Sequence, residues 1–126
     1  MRMQSFNAAF LAALTIGVSS PLAYGACLDH RSEPRVVAIE AASSCKQADR
    51  LDKLCWIGAM ADLSPARAVV VKCEKEFLTR LSKRGLARYE SDRQACLKKF
   101  QGRRGSGAAS ARLHCLVAVA VKYAAH

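Results

Sequence analysis

From Ser32 onward, apolar residues recur every third or fourth position along most of the chain, the period of helices packed on one face. Ser32-Glu33-Pro34 marks a helix start, with proline in the first turn, where its missing N–H is not needed. From there to about Asp62 the chain is rich in alanine, leucine and charged residues, and Ser43-Ser44 divides it into two helices. Cys45, Ala48, Cys55 and Ala59 fall near one face, widened by Leu51 and Leu54. A third helix is expected from Ser64 as N-cap and Pro65 as its first residue to Lys83-Arg84, with Gly85 ending it. Its inward stripe is Ala66, Val70, Cys73, Phe77 and Leu81. A fourth runs from about Leu86 to Phe100 and buries Leu86, Tyr89, Cys96 and Phe100, with Leu97 beside them. The stretch QGRRGSGAAS, with three glycines and two serines, reads as a loop. The last apolar run, around residues 113–123, is ambiguous. Val117, Val119 and Val121 alternate as in a strand, yet alanines interleave them and no partner strand is evident, which favours a helix. The expected fold is all-α, a small bundle of four or five helices.

The N-terminus changes the picture. Arg2 precedes an uncharged apolar run, Ala8 to Val18, of signal-peptide length and too short to span a bilayer. Ser19-Ser20-Pro21 breaks that run, and Ala23-Tyr24-Gly25 supplies small residues for a cut before Ala26. Residues 1–25 therefore read as a signal peptide, and residues 26–126 as a single cysteine-rich domain with no transmembrane helix. The expected location is periplasmic or secreted. An alternative takes YGAC as a lipobox with Cys27 lipidated, which strands one thiol of the remaining five.

Six cysteines, Cys27, Cys45, Cys55, Cys73, Cys96 and Cys115, all follow the cut. An even number in an exported domain reads as three disulfides. Cys45 and Cys55 on one helix would stand about 15 Å apart, too far for a bond. Pairing across neighbouring hairpins gives Cys55–Cys73 and Cys96–Cys115, leaving Cys27–Cys45. The rival is Cys73–Cys96 with Cys55–Cys115.

Charge is unevenly placed. The whole chain carries a formal +10. Residues 26–79 are balanced, whereas residues 80–104 set nine basic side chains against Glu90 and Asp92 alone. Such a local field attracts anions. Arg88, Lys98, Lys99, Arg103 and Arg104 are the candidate anion contacts, the last two on the glycine-flanked loop. The partners such a face fits are anionic envelope components or acidic proteins. Nucleic acid is not expected, because no exposed aromatics are interleaved with the cations for base stacking. Oligomeric state is left open.

Catalytic chemistry is not marked. No phosphate-binding glycine loop and no nucleophile elbow is present. His30 and His114, with Cys27 and Cys115, lack the spacing of a closed zinc site, and disulfides leave no thiolate to bind metal. No catalytic residue, cofactor or metal is expected, and the chain reads as a non-enzyme. Asp49 and Lys53 are placed for an i, i+4 pair, Trp56 reads as core, and Arg93 is expected to lie along the Tyr89 ring.

ASSCKQADRLDKL and RYESDRQAC together resemble the small periplasmic helical domains of the lysozyme-inhibitor LprI-type N-terminal family. Cys45, Leu51-Asp52 and Leu54 match its first motif, and Tyr89, Arg93 and Cys96 its second; Leu86 and Tyr89 stand where the family has Gln-x-x-Trp. The resemblance implies an exported, disulfide-bonded helical domain, sometimes an inhibitor of lysozyme. The leading expectation is a protein that binds an anionic partner through its basic face; the alternative is an inhibitor of an envelope-acting hydrolase such as a lysozyme. The charge favours the first, since a cationic face repels cationic lysozymes.

Overall fold

The computed structural model describes Cys27 and residues 31–126. The expected signal peptide, its cleavage site and His30 lie outside the described residues. The chain is all-α: α1 (Ser32–Ala41), α2 (Cys45–Cys55), α3 (Leu63–Phe77), α4 (Lys83–Lys99) and α5 (Ser106–Ala124), with 3₁₀ turns at Met60–Asp62 and Leu78–Arg80. The valine-alternating segment is therefore helical, with Leu113, Val117 and Ala120 turned inward one turn apart. Among the described residues no helix is long and apolar enough to cross a membrane.

Ser43-Ser44 does divide the first two helices. Ser44 is extended, and its hydroxyl accepts the N–H of Gln47 at 3.1 Å, a side-chain N-cap. Glu76 of α3 accepts the N–H of Cys45 at 2.6 Å and covers a second unpaired donor of the same helix end.

α3 is the central element and packs on α5, α1 and α2. Ala48, Ala66 and Ala120 are fully buried, so helix backbones approach closely around Ile39, Val69, Leu113 and Val117. Phe77, Tyr89 and Tyr123 form an aromatic cluster joining α3, α4 and α5, with ring centroids 4.9 to 5.9 Å apart. The buried Tyr89 hydroxyl donates to Glu74 at 2.7 Å, and burial together with that bond pushes its pKa above the ordinary value.

Several helix boundaries differ from expectation: α2 ends at Cys55 rather than near Asp62, and α5 starts at Ser106, inside the stretch read as a loop. α3 does not start with Ser64 as its cap: the helix begins at Leu63, and Ser64 is exposed inside the first turn. Nor does Gly85 end it. α3 stops at Phe77, the chain breaks at Leu81-Ser82, and Ser82 caps α4 by accepting the N–H of Gly85 at 3.0 Å. Gly85 thus sits in a first turn, where a β-carbon would come within 3.3 Å of Leu81 Cδ2. Val69, rather than Val70, joins Ala66, Cys73 and Phe77 in the fully buried stripe, at i, i+3, i+7 and i+11. Leu54, in the last turn of α2, is exposed, not buried; so are Leu86 and Leu97, because α4 packs chiefly on α5 and that narrow contact buries only Tyr89 and Cys96.

All six cysteines are bonded, as Cys27–Cys55, Cys45–Cys73 and Cys96–Cys115. The third pair is the expected one; the other two replace Cys55–Cys73 and Cys27–Cys45. Each observed pair is centred on a helix-joining turn, near Ala41, Ala59 and Gly105. The expectation placed the α2–α3 turn at Ser64, five residues too late. Gly58, at φ 75°, supplies the left-handed residue that reverses the chain there. A Cys27 sulfur bonded to Cys55 is not available for a lipid thioether.

Candidate functional site

The turns of the bundle bring five segments to one end: the start of α1, the end of α2, the 56–62 connection, the end of α4 and the start of α5. A buried charge cluster holds them together. The Arg35 guanidinium, from the first turns of α1, donates Nη1 to Asp62 Oδ1 at 2.9 Å and Nη2 to Asp52 Oδ1 at 3.3 Å. All three side chains are buried. Asp62 organises the connection: its carboxylate also accepts the N–H groups of Ala59 at 2.8 Å and Ile57 at 3.3 Å, and the Ser110 hydroxyl at 3.3 Å. Burial alone pushes its pKa up, but the bonds from Ala59, Arg35 and Ile57 outweigh burial and hold it below the usual carboxylate range.

Asp52 is the opposite case. Burial dominates and raises its pKa, with His114 and Arg35 pulling the other way. Its Oδ2 faces His114 Nε2 at 3.5 Å, and neither atom has a hydrogen-bond partner among the described residues. Trp56 is not core, as its position beside a cysteine predicted. It is half-exposed, donates its indole N–H to the Ser110 hydroxyl at 2.7 Å, and lies 4.4 Å from the His114 ring. Ser110, fully buried, accepts the Trp56 indole N–H and donates its own hydroxyl to Asp62. The cluster is a clamp: it fixes the backbone of the 56–62 connection against α1 and α5.

Four of the five expected anion contacts reach this end. Lys98 and Lys99 occupy the last turn of α4, and Arg103 and Arg104 the loop that follows; all four are exposed. Lys99 Nζ and the Arg103 guanidinium lie 5.6 and 5.5 Å from the Phe100 ring centroid, which keeps them close together. Arg103 shares a small hollow of about 170 Å³ with Arg112, a cation of α5 that sequence reasoning did not include. Among the described residues, none of Lys98, Lys99, Arg103 and Arg104 forms an ion pair.

Arg88 is not part of that group. It lies about 15 Å further back along α4. There it lines a separate cleft of about 560 Å³ with Phe77, Arg80, Lys122 and Tyr123. Asp92 also lines that cleft, held by the Tyr123 hydroxyl at 3.0 Å and Lys122 at 3.3 Å. Those two bonds lower its pKa, so the cleft carries an acid among its cations. Arg93 pairs with Glu90 at 3.3 Å and lies 5.7 Å from the Tyr89 ring centroid, the expected arrangement. Asp49 and Lys53 pair at 2.7 Å as their spacing predicts.

No protein-family model, curated protein or solved structure matches this chain. The candidate site therefore stands on its geometry: a clamped connection beside a group of unpaired cations.

The opposed pKa directions of the two buried aspartates give a test. Asp52→Asn is expected to change stability by no more than about 1 kcal/mol at pH 7, because it removes a charge that burial disfavours and leaves the Arg35–Asp62 pair intact. Asp62→Asn is expected to lose about 3 kcal/mol, since an amide nitrogen would confront donors from Ala59, Ile57 or Arg35. Urea unfolding of both variants at pH 7 checks the order; equal losses would show that the two carboxylates are equivalent.

Proposed function

We propose that this chain is an exported, non-enzymatic binding protein that engages an anionic partner through the basic end of its bundle, around Lys98, Lys99, Arg103 and Arg104. One observation carries the reading: these four exposed cations stand together with no ion-pair partner among the described residues, while Glu90 and Asp92 are engaged elsewhere on α4. Long-range attraction then acts on whatever anion approaches that end. Three disulfides in so short a chain support export, since such bonds persist in oxidising compartments.

The test uses an immobilised sulfated polysaccharide as a generic anion. Changing Lys98, Lys99, Arg103 and Arg104 together to Gln is expected to move elution to markedly lower salt. Arg88→Gln, in the separate cleft, is expected to move it far less. Elution of the quadruple variant at the unchanged salt concentration would overturn the assignment of the site.

A further inference from the structure

We propose that the same end of the bundle docks on an anionic lipid bilayer, with the connection after α2 entering the interface and the neighbouring basic loop meeting the headgroups. This rests on the anion-binding reading and narrows it to one kind of surface.

The connection is unusual in what it exposes. Leu54, Trp56, Ile57 and Met60 are 72, 46, 54 and 61% exposed. No residue from Leu54 to Ala61 carries a charge. Other large exposed apolar residues, such as Val37 on α1 and Val71 on α3, are spread over separate helices. Four within seven positions form a patch of the kind that marks an interaction surface.

The patch is also held rigidly. Asp62 fixes the backbone at Ile57 and Ala59, Ser110 fixes the Trp56 indole, and Cys55 is tied to Cys27. A clamp of this kind needs only the backbone groups, Trp56 and the acid. It does not require large apolar side chains at 54, 57 and 60, and it does not bury them. Docking surfaces gain affinity from such preorganisation, because little conformational freedom is lost on binding.

The placement of charge selects the occupant. Gly107, in the first turn of α5, lies so close to Gly58 that a β-carbon there would be 3.9 Å from its carbonyl oxygen, and Ser110 and His114 continue that contact to Trp56. On the other side of the same turns, Ala108, Ala109 and Arg112 line the hollow with Phe100 and Arg103. The apolar connection and the basic loop therefore flank one helix end, about one helix diameter or 10 Å apart. Among the described residues, the acids near this end do not cancel the cations: Asp52 and Asp62 are buried around Arg35, and Asp49 is paired with Lys53, leaving Glu33 exposed in the first turn of α1. A soluble polyanion would meet the charges but leave the apolar side chains in water. A second copy would cover the apolar side chains but bring two cationic ends together. An anionic bilayer meets both demands, with tryptophan at headgroup depth, aliphatic side chains at the acyl boundary and Lys and Arg on the phosphates.

Trp56 is the single tryptophan of the chain, so its emission reports on this loop alone. The disulfide-bonded protein is mixed with vesicles of phosphatidylglycerol and phosphatidylcholine, with pure phosphatidylcholine vesicles, and with soluble sulfated polysaccharide. The expected result is a blue shift of emission, and quenching by brominated acyl chains, with the anionic vesicles only. The Ile57→Ser/Met60→Ser variant, which leaves the net charge unchanged, is expected to lose roughly 100-fold in affinity for anionic vesicles, about tenfold for each apolar side chain removed, while its elution from the sulfated matrix is unchanged. Sulfated-matrix binding without any shift or quenching on vesicles would overturn bilayer docking and leave the anion-binding reading standing. An equal shift with soluble polysaccharide would also overturn it, by assigning the loop to a polymer. Loss of binding to every anion would remove both readings.

Discussion

Replacing Arg35 by Met is expected to lose about 3–5 kcal/mol of stability at pH 7, and distinctly less at acid pH. Arg35 is the buried cation between Asp52 and Asp62, and its methionine replacement has a similar reach but no charge. At neutral pH the variant must keep two carboxylates in the interior without their counter-ion or bind protons to them. Both routes weaken the folded state. The pH dependence follows from linkage. Without Arg35, Asp52 loses a charge that pulls its raised pKa down and Asp62 loses one of the bonds that hold its pKa low, so both folded values move up relative to the parent. A group raised above its unfolded value, as Asp52 is, favours folding fully only below that value, and the advantage is lost as pH rises through the folded value. The variant therefore recovers relative to the parent as the solution is acidified. The parent behaves oppositely at Asp62, whose lowered pKa gives stability present above the unfolded value and lost as pH falls through the folded one. Urea unfolding of both proteins at pH 7 and near pH 4.5, followed by Trp56 emission, measures the difference. A loss below about 1 kcal/mol that is the same at both pH values would mean the cluster contributes little to holding the end of the bundle together.

The acids of this cluster left one trace in the sequence. Asp52 stands on the face of α2 that carries Cys45, Ala48 and Cys55, at helical spacing, so its inward position was legible once that face was recognised as buried. An acid on a core face requires a buried partner. That the partner is Arg35, on the preceding helix, depends on how α1 crosses α2, and no local pattern encodes that crossing. The same holds for Trp56: its neighbour Cys55 is buried, but α2 ends between them, and the chain turns extended at the tryptophan. The helices themselves were legible because their stripes repeat over three or more turns. Their ends were less so, because Ser-Pro and Gly each suit several roles. Ser64-Pro65 lies inside the first turn of α3, where proline is tolerated as readily as at its first position, and the reversal belongs to Gly58. Four of the five candidate cations gather because the last turn of α4 and its loop are continuous in sequence, while Arg88, more than two turns earlier, falls to a different cleft.

Removing the Cys45–Cys73 bond, by changing both residues to Ala, is expected to destabilise the protein by more than removing Cys96–Cys115 in the same way. Chain entropy does not distinguish the two. Sequence separations of 28 and 19 residues give roughly 3–4 kcal/mol each, because the loop term grows only with the logarithm of length. Burial does. Cys45 and Cys73 both lie in the core against the central helix, whereas Cys115 is partly exposed. Truncating two core sulfurs leaves a space that Ala48, Ala66 and Val69, already fully buried, are poorly placed to fill, which adds about 1–2 kcal/mol. The bond also sits where α2 begins, beside the Glu76 carboxylate that accepts the Cys45 N–H, so its loss frees that helix end as well. Urea unfolding of the two double variants, with the other four cysteines oxidised, gives the comparison. Peptide mapping without reductant fixes the reference: a Cys45 peptide joined to a Cys73 peptide is expected. Finding Cys55 joined to Cys73 instead would move the α2–α3 reversal to Ser64, and with it Asp62, Trp56 and the whole clamped end of the bundle.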